Sequence, residues 1–291
     1  MSHCVTLWSA VLPDIPTVFP QPCLSACSPS SAPTGYFDCD NEQTKVGSSG
    51  RQEYSLGKKG CRMIPIRDTQ RSHRRPFVNW TLILLNILVF GFQLTLTEPE
   101  LQAFIVKWGI IPGVITNPSR LPPGIVAQTS GAASVFTSLF IHVGWVHLIG
   151  NMLYLFIFGD NVEDLLGHGR YLVFYLTCGI TASIAHIIFN PTSLVPTVGA
   201  SGAVAGVLGA YFVSFPRSRV LALIPVGVFL PVVEVPSIVF LFLWFFTNLL
   251  SGVASLGVQA QGGVAWWAHI GGFVVGIVLS VMWRPRRRVR S

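Results

Sequence analysis

The chain has 291 residues, 51% of them hydrophobic and 11% charged, with a net charge of +7 and a mean hydropathy of +0.59. Soluble domains carry about 25% charged residues, so an ordinary soluble globule is excluded. Residues 1–76 hold 15 of the 31 charged side chains and the last eight hold 5, which leaves 11 for the 207 residues between. Long uncharged stretches broken into apolar runs indicate a polytopic membrane protein. The basic residues sit in the flanks rather than on a folded face, which excludes a nucleic-acid binder. The apolar runs are continuous rather than alternating, which excludes a β-barrel.

Residues 1–62 are rich in turn-forming residues and carry no periodicity, so a disordered extension is expected there. Cys4, Cys23, Cys27, Cys39 and Cys61 fit no zinc spacing, and a disulfide framework stands as the alternative. A signal peptide fits poorly, because no basic region leads and Pro13-Asp14 cuts the apolar stretch short. Leu24-Ser25-Ala26-Cys27 looks like a lipoprotein box but lacks the segments that should precede one. Alternatively, translation starts naturally at Met63, with residues 63–76 as a basic cytoplasmic lead-in.

Six spans are expected in the domain 77–283, at about Phe77–Leu96, Trp145–Leu165, Tyr171–Phe189, Ser201–Phe215, Val235–Gly252 and Trp266–Trp283. The fourth is too short to face lipid alone and must be buried among the others. Trp80, Trp145, Trp266, Trp267 and Trp283 lie near span ends, as an aromatic belt requires. Arg67, Arg71, Arg74, Arg75, Arg170, Arg217, Arg219 and the Arg-rich tail 284–291 fall on one side, and only Lys107 and Arg120 on the other. The positive-inside rule then places both termini in the cytoplasm. The expected fold is an all-α membrane protein, a six-helix bundle. The long segment 97–144 is expected to lie partly in the interface.

With both ends inside, the second, fourth and sixth spans begin at one level near the outer face. Each begins with polar or small residues: His142, His147 and Asn151; Gly199-Ala200-Ser201-Gly202; Ala268-His269-Ile270-Gly271-Gly272. Polar groups inside a membrane are costly and point to function. Ser201 and His269 make a candidate nucleophile and general base, against the plainer readings of a packing or capping serine and a hydrogen-bonded core histidine. His147 and Asn151, at i and i+4, share a helix face, and both can donate toward an oxyanion. No carboxylate lies at this level, so a dyad rather than a triad is expected. Gly202, Gly206 and Ala210 form one small-residue row, Ser201, Ala205 and Gly209 another, and Ala268, Gly272, Gly276 and Ser280 a third, as close helix contact needs; Gly199, Gly202, Gly206, Gly272 and Gly276 are the expected helix-packing glycines. His186 reads as a packing residue, His3, His73 and His168 as solvent-exposed, and Asn86 and Asn248 as interhelical hydrogen-bond partners. Cys178 reads as a small packing residue.

The segments Gly199-Ala200-Ser201-Gly202-Ala203, His142-x4-His147-x3-Asn151 and Ala268-His269-x-Gly271-Gly272 resemble those of rhomboid intramembrane serine proteases. Gly159–Asp164 with Gly167-His168-Gly169-Arg170 resembles the bacterial branch. The resemblance covers about residues 63–283. It implies a six-helix core with Ser201 as nucleophile, His269 as base, His147 and Asn151 at the oxyanion and His142 in support. It further implies cleavage of single-pass transmembrane proteins near the outer boundary, no metal or cofactor, and a bacterial inner-membrane location. Transmembrane substrates and lipids are the expected partners; no oligomeric state follows. Ala205 stands where some members carry an aromatic residue under the histidine, so His269 must be oriented by other neighbours. Lys107-Trp108 stands in the first outer loop where some members carry a Trp-Arg pair. The expected gate is the fifth span with the loop Val253–Val264. The rivals are a catalytically silent relative that holds membrane proteins and a small transporter. The latter would be expected to show an internal repeat and a mid-membrane site.

Overall fold

A computed structural model describes residues 63–224, 231–255 and 265–283. The extension 1–62, with its cysteines and lipoprotein-like box, and the tail 284–291 lie outside the described residues, as does most of the expected gate loop.

All six expected spans are helices. In chain order they are α1 (Phe77–Gln93), α6 (Trp145–Leu166), α7 (His168–Phe189), α8 (Ser201–Ser214), α9 (Ser237–Ala254) and α10 (Trp266–Trp283). Between the first two lie α2 (Glu98–Trp108) and the short α3 (Pro112–Thr116), α4 (Pro123–Ala127) and α5 (Ser134–Thr137). By length and composition α7, α9 and α10 can each cross a membrane. A fourth span arises if Gly131–Phe140 and α6, which meet at 75°, are taken as one broken element. The shorter α1 and α8 are also apolar. The protein is thus a multi-pass integral membrane protein of mostly helical structure. Its outer face carries the side chains such a protein turns to lipid, among them Leu88, Phe156, Ile188, Phe242 and Met282, all exposed.

The expectation of an all-α fold needs one correction. Ile64–Asp68 (β1), Arg219–Leu223 (β2) and Val232–Pro236 (β3) form an antiparallel sheet in that order. Val220 pairs with Asp68 on one side and Val235 on the other. The stretch Val232-Val233-Glu234-Val235 is short and three of its four residues are β-branched, which suits a strand better than the helix start expected at Val235.

The sheet carries one buried acid. The Tyr211 hydroxyl donates to Asp68 Oδ2 at 2.5 Å, and Asn161 Nδ2 donates to the same oxygen at 2.9 Å. Burial pushes the Asp68 carboxyl above its ordinary value of 3.8, against the lowering effect of the Tyr211 bond. A group raised on folding favours the protonated native state, so its contribution is complete below about pH 3.8 and is lost as pH rises through the folded value. Asp68→Asn, neutral at every pH, should therefore match the wild type near pH 4 and lose less stability toward pH 7. Thermal unfolding of both proteins across that range checks it; a variant less stable than wild type at pH 7 would contradict it.

A second acid does an unexpected structural job. Glu163, buried in α6, accepts from the Val78 and Asn79 backbone N–H groups at 3.0 and 2.7 Å, and its Oε1 lies 2.5 Å from His168 Nδ1. α1 has no side-chain cap of its own, so Glu163 satisfies two of its orphan donors from another helix. His168 is solvent-exposed as expected, and its ring also meets this carboxylate.

α8 is the centre of the bundle. Every residue from Gly202 to Tyr211 is buried, as expected for an apolar helix with no polar face. It is flanked by α7 and α10. A Cβ at Gly202 would lie 2.5 Å from Ala182 Cβ of α7, and one at Gly206 would lie 2.6 Å from Cys178 Sγ. A Cβ at Gly272 or Gly276 would overlap the carbonyl oxygen of Gly202 or Gly206. Ser214 and Ser280 hydroxyls meet at 3.1 Å farther along the seam. The small-residue rows do what their spacing predicts. Cys178 is fully buried and packs as expected.

Candidate functional site

α6, α8 and α10 begin beside one another, and the polar residues at their starts form one cluster. The segment before α8 is held from outside by the 97–144 region. Ile110 and Thr197 exchange backbone hydrogen bonds of 2.9 and 2.7 Å, Gly113 N–H donates to Ser193 O at 2.8 Å, and Gly199 N–H donates to Ser138 O at 2.9 Å. These bonds fix the approach to Ser201, the first residue of α8. α2 is itself fixed at its start by a capping box between Thr97 and Glu100. Lys107 Nζ lies 5.1 Å from the Trp108 ring centroid.

Gly199 had been expected among the helix-packing glycines, but it lies ahead of the helix. Its φ is +130°, a conformation open to glycine and strained for other residues. A Cβ there would lie 2.7 Å from both Cε1 and Nε2 of His147 and 3.7 Å from Ser201 Oγ. The bare Cα thus lets the His147 ring approach the backbone next to Ser201. The His142 ring stands edge-on to His147 at 5.0 Å and is almost wholly buried. Asn151, one turn below, is fully buried, and its Nδ2 donates to the His147 carbonyl at 3.0 Å. One amide proton of Asn151 is therefore committed to its own helix, and the other is free to serve a ligand.

His269 is 1% exposed. Its Nδ1 lies 2.7 Å from Asn248 Oδ1 of α9. The Trp244 ring lies 5.8 Å away and the Trp266 ring 6.3 Å. His147 and His186 both lie within electrostatic reach of it. The absence of an aromatic residue at 205 is met as anticipated: Ala205 is buried, and the histidine takes its orientation from α9. His269 is three residues from Gly272, whose Cα rides on the Gly202 carbonyl. The starts of α8 and α10 are in backbone contact, and Ser201 and His269 stand at the same end of that contact.

These observations can be set beside known proteins. The Rhomboid domain matches residues 130–286 of this chain. The chain belongs to the rhomboid family. It is 34% identical over 142 residues to Rhomboid protease GluP of Bacillus subtilis, a match covering 49% of this chain and 24% of that protein. It is 26% identical over 201 residues to Presenilin-associated rhomboid-like protein A, mitochondrial, of Danio rerio, covering 65% and 45%. It is 26% identical over 219 residues to Rhomboid protein 1, mitochondrial, of Saccharomyces cerevisiae, covering 72% and 53%. The chain therefore spans between a quarter and about half of the length of these curated relatives.

Of three further members of this rhomboid's polar cluster, Gln93 went unassigned in the sequence. Gln93, at the end of α1, accepts from the His142 N–H at 3.1 Å and donates to the His142 carbonyl at 2.9 Å, fixing the backbone that presents that ring. His186, expected to pack, is hydrogen-bonded: its Nε2 lies 3.0 Å from Thr197 Oγ1 and its Nδ1 3.3 Å from Asn190 Nδ2. It thereby holds the segment leading to Ser201. Asn248 was expected to pair between helices, and its partner is His269. Asn86 donates to Leu82 within its own helix at 2.7 Å, and its side chain also meets the Tyr175 hydroxyl of α7, the interhelical role expected of it. An isolated asparagine in an apolar span signals a polar partner without naming it.

Proposed function

We propose that this rhomboid is an intramembrane serine endopeptidase that cleaves single-pass transmembrane proteins near the outer membrane–water boundary. Both termini lie in the cytoplasm, all six apolar helices act as spans, and the membrane is a bacterial inner membrane. Ser201 Oγ attacks the scissile carbonyl carbon while His269 takes its proton. The C–N bond then breaks, the amine leaves with that proton, and water hydrolyses the acyl ester with His269 as base. The negative charge on the carbonyl oxygen is met by the N–H groups at the start of α8 together with His147 and Asn151, with His142 supporting His147. The reaction needs no cofactor.

The observation that carries most weight is the joint placement of Ser201, His147 and His269 at the starts of three packed helices. Family membership and the likeness to a protein named as a rhomboid protease support it. The rival is a silent relative that holds membrane proteins without cutting them. Labelling the detergent-solubilised protein with a fluorophosphonate decides between them. Wild type should be labelled, and Ser201→Ala should not. A folded wild type that stays unlabelled and leaves a model transmembrane substrate intact would overturn the protease assignment in favour of the holding one.

A further inference from the structure

A base must present a lone pair to its nucleophile, and a neutral histidine has two nitrogens, only one of which carries the lone pair. Within a membrane protein the tautomer is set by whatever the other nitrogen meets. Here it meets the Asn248 amide, and the orientation of that amide follows from its second bond. Asn248 Nδ2 donates to the Trp244 carbonyl, one turn earlier in α9, at 2.6 Å. A flipped amide would set two oxygens against each other at that distance, so Oδ1 is the end that faces His269. An acceptor 2.7 Å from Nδ1 requires Nδ1 to carry the proton, which makes Nε2 the basic nitrogen.

We propose that Asn248 is a positioning residue for the reaction above: it holds His269 in the tautomer with Nδ1 protonated and Nε2 basic. The inference rests on the protease assignment for its consequence in rate, but not for the tautomer itself. It gives the dyad a neutral third member. An acid at this level would be a buried charge needing a partner of its own. An amide carbonyl offers the same acceptor without that cost. Cysteine proteases with a Cys-His-Asn arrangement use an asparagine in the same capacity.

The placement is supported by the helix face that carries it. Trp244, Asn248 and Gly252 are spaced by four residues and so line one face of α9. Trp244 lies against the His269 ring, and a Cβ at Gly252 would lie 3.0 Å from Ile270 Cδ1. Asn248 is itself 3% exposed, so water does not compete for the bond. The cluster to which it points also contains His147 and His186, neither of which lies on α9.

Two substitutions separate positioning from packing. Asn248→Leu keeps the branched shape and removes the acceptor; Asn248→Asp keeps an acceptor. With a model transmembrane substrate in proteoliposomes, Asn248→Leu should lose about 10²-fold in kcat with KM within twofold, the scale on which general-base catalysis operates. Asn248→Asp should restore at least a tenth of the wild-type rate. A leucine variant as active as wild type, or an aspartate variant no better than leucine, overturns the inference. The second measurement needs no activity. Proton-coupled ¹⁵N spectra of histidine-labelled full-length protein, wild type minus His269→Asn, should show His269 with a protonated Nδ1 and an unprotonated Nε2. The opposite tautomer overturns the inference even if the enzyme cleaves, whereas an inactive wild type with the expected tautomer would overturn only the protease assignment.

Discussion

Gly276→Ala is expected to remove most of the protein's stability, and Gly272→Ala combined with it should leave no folded protein. The cause is backbone against backbone. A methyl at 276 would overlap the Gly206 oxygen and lie 2.6 Å from both the carbonyl carbon and the Cα of Gly206. No flexible side chain stands there to move aside, so α8 and α10 must separate along their length. Overpacking a well-filled site typically costs about 1–3 kcal/mol. Separation also opens the α7 side of α8, where Gly202 and Gly206 sit on Ala182 and Cys178. The total is then a large part of the roughly 5–15 kcal/mol by which domains are stable. Gly91→Ala provides the control: nothing lies within 4 Å of a Cβ there, and alanine in a helix gains about 0.5–1 kcal/mol over glycine. Thermal unfolding in detergent should rank the proteins Gly91→Ala, wild type, Gly276→Ala, double variant. A Gly276→Ala protein melting within about two degrees of wild type would refute the seam as the origin of the α8–α10 contact.

The helices at the six expected places were legible because each is a continuous apolar run, and an apolar run kept from water satisfies its backbone most simply as a helix. The seam was legible for a related reason: glycines four apart have few uses in a span except close approach. The sheet was not legible. Ile64 pairs with Leu223 across more than 150 residues, and β1 is five residues long with a proline inside it. Nothing local distinguishes such a strand from a turn. Glu163 could be placed at one end of its span, but its use as a cap for α1 depends on how α1 meets α6. Asn248 shows the same limit within the site. Its cost in a membrane announces a partner, but α9 and α10 are joined through residues whose spacing fixes no register between them. Only the packed helices bring Asn248 Oδ1 to His269 Nδ1. Ala205 pointed the other way: the missing aromatic residue signalled that some other neighbour must hold the histidine.

Ser201→Ala and His269→Ala should each lower the cleavage rate by at least about 10³-fold, and the double variant should be no slower than either. In the proposed mechanism nucleophile and base act on one proton in one step. Once Ser201 is gone, His269 has no hydroxyl to activate, and without His269 the hydroxyl remains a weak nucleophile at neutral pH. Losses that multiplied would mean that the two side chains serve separate steps, and a His269→Ala protein that kept its rate would assign the base elsewhere. His147 and His186 are then the candidates, because both are within electrostatic reach of the site. What activity remains in the double variant reports the donors that neither substitution touches: the N–H groups at the start of α8 and the His147 ring beside Gly199. Adding His147→Ala to the double variant should lower that remainder further. Removing one oxyanion donor costs about 10²–10³-fold, and this contribution persists when the proton-transfer machinery is absent because it acts on the carbonyl oxygen. The stepwise loss, saturating for Ser201 with His269 and further for His147, is the kinetic pattern expected of a serine and histidine acting as one unit beside an independent oxyanion site.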